Sequence, residues 1–259
     1  FSQEELLASI SKVNPNIVTV MVAGAPVDLQ KVNGLSKSLV YSWFNGTEGG
    51  TALADVLTGK ISPSGKLPFT LPIKLEDSPA YALGNYPQKV EDADGDVFVD
   101  LVNRDKFRAQ QKADADYSEG LFVGYRWFIS KNLPVMYPFG FGLSYAKFEY
   151  SDLSATVNVD NVAVKCTLNN NSNIAAEEVA QVYVGRPNSQ IERPKYELKG
   201  FERVSLAANA SQIVSVNIPI SSLRHWDETK NDWALEKGSA QILVGTSSVD
   251  LPLETTLEL

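Results

Sequence analysis

The sequence predicts an α/β segment built on part of a parallel sheet, followed by an all-β sandwich. Two observations carry this. The first seventy or so residues hold continuous apolar runs joined by helical patterns. From about residue 143 the apolar period becomes two and turn residues punctuate it.

The chain opens on Ser2-Gln3-Glu4-Glu5, a capping box in which serine hydroxyl and glutamate satisfy the first free amides of a helix. Leu6, Leu7, Ile10 and Val13 continue at helical spacing. After the turn Asn14-Pro15-Asn16, the residues Ile17, Val18, Val20, Met21 and Val22 form a run apolar on both faces, as in a parallel strand covered by helices. Leu39-Val40-Tyr41-Ser42-Trp43-Phe44 repeats the pattern, and Asn45-Gly46-Thr47 leads into a helix through Leu53, Ala54, Val56 and Leu57 that Gly59 ends. Two parallel strands cannot cover themselves. The reading therefore expects further strands from sequence ahead of Phe1, with residues 1–75 as the C-terminal part of an α/β sandwich domain.

Residues 76–142 read as a linker and loop region with an acidic insert. Asp92, Asp94, Asp96 and Asp100 lie close together. Their DxDGD spacing hints at calcium but lacks the DxDxDG order and later glutamate of an EF-hand, so no metal is expected. Residues 143–259 show Val157 and Val159, Val162 and Val164, Val179 to Val184, Val214 to Ile218, Ala240 to Val244, and Leu251 with Leu253. About seven short strands without a helical stretch predict an immunoglobulin-like β-sandwich, and the lack of a cysteine pair favours its fibronectin type III-like version.

Composition narrows the partners. Hydrophobic residues make up 44% and charged residues 21% of 259, with a net charge of −8. Such a surface repels nucleic-acid phosphates and anionic lipid, so neither nucleic acid nor membrane is expected as a partner. Neutral ligands such as sugars remain compatible. Cys166, the single cysteine, alternates with Val162, Val164 and Leu168 and reads as a buried inert thiol.

Several motifs resemble glycoside hydrolase family 3. They are Asn14 to Val20 running into Ala23-Gly24-Ala25-Pro26-Val27, then Trp43 to Gly50, Ala52 to Leu57, and Ser62-Pro63-Ser64-Gly65-Lys66-Leu67-Pro68. Tyr117 to Arg126, Tyr137 to Tyr145, Glu178 to Val184, Leu198 to Phe201 and Val244 to Ser248 extend the likeness over almost the whole chain. The insert at about 90 to 113 departs from the family pattern. The resemblance implies an N-terminal (β/α)8-like barrel, an α/β sandwich and a fibronectin-type domain, retaining cleavage of β-linked glucosides or, less often, xylosides, and no cofactor. It also implies that the nucleophile Asp and the acid/base Glu stand outside this chain, so no catalytic residue is assigned here.

Local chemistry agrees. A retaining pair needs carboxyl groups about 5 to 5.5 Å apart. Glu48 and Asp55, seven residues apart on one helix, are separated by about 10.5 Å along its axis. Glu48 suits a helix N-terminus instead. The lone His225 has no serine or cysteine partner motif. Trp43, Asn45, Thr47 and Glu48 lie where a parallel strand ends, the place where ligand crevices of α/β sheets open, and are the candidate substrate-binding rim. Tyr117 and Glu119 read as interface residues, and Asn45, Asn170 and Asn209 begin glycosylation sequons.

The expectation is the noncatalytic C-terminal part of a retaining β-glucosidase, secreted or periplasmic. Its partners would be the barrel segment of the same protein, a β-glucoside or oligosaccharide substrate, and a second copy in a homodimer. The alternative is a stand-alone carbohydrate-binding or adhesion module without catalysis.

Overall fold

The computed structural model describes residues 2–86, 90–91, 97–98 and 116–259. Helix α1 (Gln3–Ser11) starts on the expected capping box, with Glu5 N donating to Ser2 Oγ at 3.1 Å and Ser2 N donating to Glu5 Oε2 at 2.9 Å. Strands β1 (Val18–Met21) and β2 (Ser38–Tyr41) pair in parallel, Val18 opposite Ser38 and Met21 opposite Tyr41. Between them lies α2 (Gln30–Leu35), which the periodicity did not reveal. Its Val, Asn and Gly are poor helix formers, so packing holds it: Leu29, just ahead of it, is fully buried. Helix α3 (Gly49–Leu57) follows β2, and Gly59 at φ 76° closes it as an αL cap.

None of α1, α2 and α3 buries a single residue. Leu6, Val13, Val18, Val22 and Leu57 are all exposed. A βαβα layer with its apolar stripes in water lacks the neighbours that such layers pack against.

The middle of the chain forms short pieces. Strand β3 (Leu71–Pro72) is joined to the sandwich side of the molecule by its later partner, and α4 (Pro79–Ala82) follows a 3₁₀ turn at Leu75–Asp77. Strands β4 (Val90–Glu91) and β5 (Val97–Phe98) pair antiparallel. The acidic residues Asp92, Asp94, Asp96 and Asp100 lie outside the described residues. Asn85 Nδ2 donates to Asp116 O and to Ser118 Oγ, each at 3.0 Å, holding the two ends of that stretch together. Helix α5 (Tyr125–Ser130) buries Trp127, Phe128 and Ile129, and Trp127 Nε1 donates to Asp77 O at 3.0 Å. Strand β6 (Val135–Tyr137) then pairs with β3.

Nine strands complete the chain: β7 (Phe148–Val157), β8 (Asn161–Asn170), β9 (Ala176–Gly185), β10 (Glu197–Leu206), β11 (Ser211–Pro219), β12 (His225–Asp227), β13 (Asp232–Ala234), β14 (Ser239–Gly245) and β15 (Leu253–Glu258). Seven form the sandwich, as a three-stranded sheet β11-β8-β7 over a four-stranded sheet β10-β9-β14-β15; β12 and β13 are a separate hairpin. The alternate residues named from the sequence fill the space between the sheets, among them Val162, Val164, Val182, Val214, Ile218, Ile242 and Val244. Cys166 sits in this core, and burial pushes its thiol pKa up.

Three details differ from the periodic reading. Val159 is not in a strand but in the turn joining β7 to β8, 92% exposed, with Asn158 N donating to Asn161 O. Leu251 precedes β15 rather than belonging to it. Strand β10 escaped the period because a bulge between Leu198 and Gly200 breaks its alternation.

The two halves are stitched together. Residues 62–68 run beside 140–145: Leu67 N donates to Phe141 O at 2.8 Å, Gly140 N to Leu67 O at 2.7 Å, and Tyr145 OH to Val56 O at 2.8 Å. Lys66 reaches into the sandwich and meets Glu178 of β9. Gln181 of β9 donates to Gly140 O and accepts from Tyr183 OH, both within 3.0 Å.

Candidate functional site at the carboxyl edge of the parallel strands

Because β1 and β2 run in parallel, their carboxyl ends, Met21 and Tyr41, lie on one edge. The loops 22–29 and 42–48 leave from it side by side. Tyr41 OH bridges them by donating to Ala25 O at 2.5 Å, and burial raises its phenol pKa.

The second loop turns on Trp43, whose φ of 58° places a bulky residue in the left-handed region. Such a residue costs backbone strain and persists only where its surroundings hold it. Here the indole packs against Tyr41, with ring centroids 4.7 Å apart, and against Phe69 at 5.2 Å. The reversal throws the next side chain outward. Phe44 is 78% exposed and lies so close to Gly24 that a Cβ there would come within 2.5 Å of its ring.

Asn45, Thr47 and Glu48 continue along the exposed side of the same loop. Asn45 Nδ2 donates to Ser42 Oγ at 2.9 Å, bracing the turn. Glu48 occupies the N-cap position of α3 without a side-chain cap bond, and its carbonyl accepts from Ala52 N. The structure thus brings all four candidates onto one loop, with Trp43 turned inward and the other three facing solvent. Phe44 is the aromatic that this loop presents, and the Trp43-Phe44 pair was its signal in the sequence.

The other candidates lie elsewhere. Asp55 is held by Lys60 Nζ at 2.9 Å and makes no pair with Glu48. Half-buried His225 lies on the outer hairpin, its Nδ1 3.3 Å from an Arg193 guanidinium nitrogen. Tyr117 is exposed, and Glu119 accepts a turn bond from Phe122 N. Asn170 is buried, its amide donating to Ile174 O, Leu206 O and Ala207 O, so this sequon is closed to modification in the folded chain. No group of three His, Cys, Asp or Glu is arranged to hold a metal ion among the described residues.

An edge of this kind can line a crevice and stack against a ring. Residues 1–125 match the glycosyl hydrolase family 3 C-terminal domain, and residues 178–248 match the fibronectin type III-like domain. The chain belongs to glycoside hydrolase family 3. A family 3 β-glucosidase from Bifidobacterium adolescentis superposes with a TM-score of 0.86 at 36% identity, over 99% of this chain and 35% of that one. A β-glucosidase from Bacteroides ovatus is 37% identical over 100% of this chain and 32% of its own length. An exo-α-(1→6)-L-arabinopyranosidase from Bifidobacterium breve is 35% identical over 99% of this chain and 31% of its own. The chain therefore spans about a third of the length of the family 3 relatives it matches, and aligns with their C-terminal part.

Proposed function

We propose that this chain is the noncatalytic C-terminal part of a retaining β-glucosidase that releases terminal β-linked glucose from oligosaccharides or β-glucosides. On this reading residues 1–75 complete an α/β layer beside a barrel that bears the nucleophile and the acid/base. Residues 76–142 connect, and the sandwich at 143–259 braces the α/β layer from behind. Trp43, Asn45, Thr47 and Glu48 form part of the pocket rim, and the whole protein works outside the cytoplasm, where oligosaccharides are met. The enzyme works as a homodimer in this proposal.

One observation carries the reading: helices α1, α2 and α3 fully bury no residue, although their apolar faces are those of a packed layer. A self-sufficient binding module has no use for such a layer. The names of the relatives support a glycosidase and vary in sugar, glucose in one and arabinopyranose in another, at similar identity across this same segment. Sugar choice is accordingly assigned to the rest of the enzyme.

The test is hydrolysis of an aryl β-glucoside by the full-length protein and by this segment alone. Activity in the former and none in the latter supports the proposal. Turnover by the segment alone, or a cooperative monomeric melt of the segment with no exposed apolar surface, overturns it.

A further inference from the structure

The hairpin β12–β13 carries two of the chain's four tryptophans. Trp226 stands directly opposite Trp233, with His225 opposite Ala234 and Asp227 opposite Asp232. Side chains alternate between the faces of a strand, so both indoles leave on one face and the other four side chains on the other. That second face is tied down. His225 contacts Arg193, which in turn pairs with Glu236. Asp227 fixes the turn by accepting from Thr229 N, Thr229 Oγ1 and Lys230 N. Among the described residues the tryptophan face is uncovered, with Trp226 48% and Trp233 56% exposed.

The two rings form a corner. Their centroids are 5.8 Å apart and their planes meet at 79°. One indole offers a flat face and the other a wall beside it. Along the same stretch of chain Arg224, Glu228, Thr229, Lys230 and Asn231 are all exposed. The apolar patch is thus two rings wide and ends in hydrogen-bonding groups.

These dimensions choose the occupant. A stable protein interface takes about 800 Å² from each partner around an apolar centre, far more than two half-exposed rings supply. A pyranose matches the corner: its C–H face is weakly positive and rests on the negative face of an indole, while its hydroxyls reach the polar rim. A neutral glycan also escapes the repulsion that a net charge of −8 imposes on anions. We propose that Trp226 and Trp233 form an accessory platform that holds a neutral β-glucan chain. The choice of glycan rests on the β-glycosidase reading given above.

The test uses the full-length protein in native gels containing mixed-linkage β-glucan. The unaltered protein is expected to be retarded relative to a polymer-free gel. Trp226→Ala and Trp233→Ala should each weaken retention at least tenfold, and Trp226→Tyr should keep most of it. Aryl β-glucoside hydrolysis should stay within twofold throughout. In the unaltered protein, β-glucan should slow oxidation of both indoles by N-bromosuccinimide several-fold, a readout that does not depend on any variant folding. No retardation, equal retardation of the alanine variants, or unprotected indoles would each overturn the platform. So would loss of retention that accompanies a change from dimer to monomer, since the corner would then join two copies. Absence of aryl glucoside hydrolysis in the unaltered protein would instead overturn the β-glucosidase reading, whatever the gels show.

Discussion

Lys66 Nζ lies 2.6 Å from Glu178 Oε1, with both side chains almost fully withdrawn from water. The lysine also donates to Gly142 O at 3.2 Å, and the same carboxylate oxygen accepts from Val179 N. This pair fastens the end of the α/β segment to the second strand of the four-stranded sheet. Breaking a buried pair from one side leaves an uncompensated charge, at a cost of about 3 to 5 kcal/mol. Lys66→Met should therefore lower the stability of the full-length protein by that amount in urea denaturation. Lys66→Met with Glu178→Met should recover most of it. By contrast, Arg203→Ala, which removes the exposed contact with Glu177, should cost less than about 1 kcal/mol.

Gly200 of β10 faces Val216 of the opposite sheet, and a Cβ added there would come within 2.4 Å of Val216 Cγ1. Gly200→Ala should destabilise the sandwich by about 1 to 3 kcal/mol through overpacking. Val216→Ala on that background should restore part of the loss, and thermal melts of the single and double variants distinguish this from a simple loss of strand propensity.

Tyr150 is buried, and its hydroxyl has no hydrogen-bond partner among the described residues. Desolvation is the main cause that drives its phenol pKa far above the ordinary value, with nearby Glu178 adding to it. Removing an orphaned hydroxyl while keeping the ring should be neutral or stabilising by about 1 kcal/mol. Tyr150→Phe is thus expected to raise the urea midpoint, and a fall of more than about 1 kcal/mol would show that the hydroxyl has a partner after all.

Alkaline pH should unfold the sandwich earlier than neutral pH does. Burial raises the pKa values of Cys166, Tyr150 and Tyr183 in the folded chain. Their neutral forms are favoured when folded, so the contribution is complete below the unfolded values, about 8.5 for the thiol and 10 for the phenols, and falls as pH rises past them. Urea midpoints should decline above about pH 9, and Cys166 should resist thiol reagents until the protein unfolds.

Glu48 is exposed at the start of α3 and has no carboxylate partner in Asp55, which Lys60 holds. On the proposed function, Glu48→Gln in the full-length protein should leave kcat for an aryl β-glucoside within a few-fold. Phe44→Ala should raise KM for an aryl glucoside by several-fold if the exposed ring lines the pocket, and steady-state kinetics check both. A collapse of kcat on Glu48→Gln would make that residue a catalyst and contradict the assignment of the acid/base elsewhere.

The sequence disclosed the change from α/β to all-β because period and composition both switch near residue 143. It disclosed the parallel strands because runs such as Val18 to Val22 are apolar on both faces, and the first helix because Ser2 and Glu5 form a box. It hid α2, whose Gly34 and Asn33 disfavour a helix that tertiary contacts nevertheless impose. It hid β10, whose bulge at Leu198 and Gly200 breaks the alternation by which strands are recognised. At the candidate site the location was visible, since Trp43 to Glu48 end a parallel strand. Which aromatic faces solvent was not, because that depends on the left-handed backbone of Trp43, a property set by the packing of Tyr41 and Phe69 rather than by residue type.

The two hydrogen bonds that Asn85 donates to Asp116 and Ser118 have a consequence for how such a chain changes over generations. It gathers the two ends of the intervening stretch, and the β3–β6 pairing repeats the gathering one step farther out. Once both ends are pinned, lengthening a flexible connection between them costs only about 0.6 kcal/mol per doubling. The chain between two such pinned ends can gain or shed residues at little cost to the segments it joins.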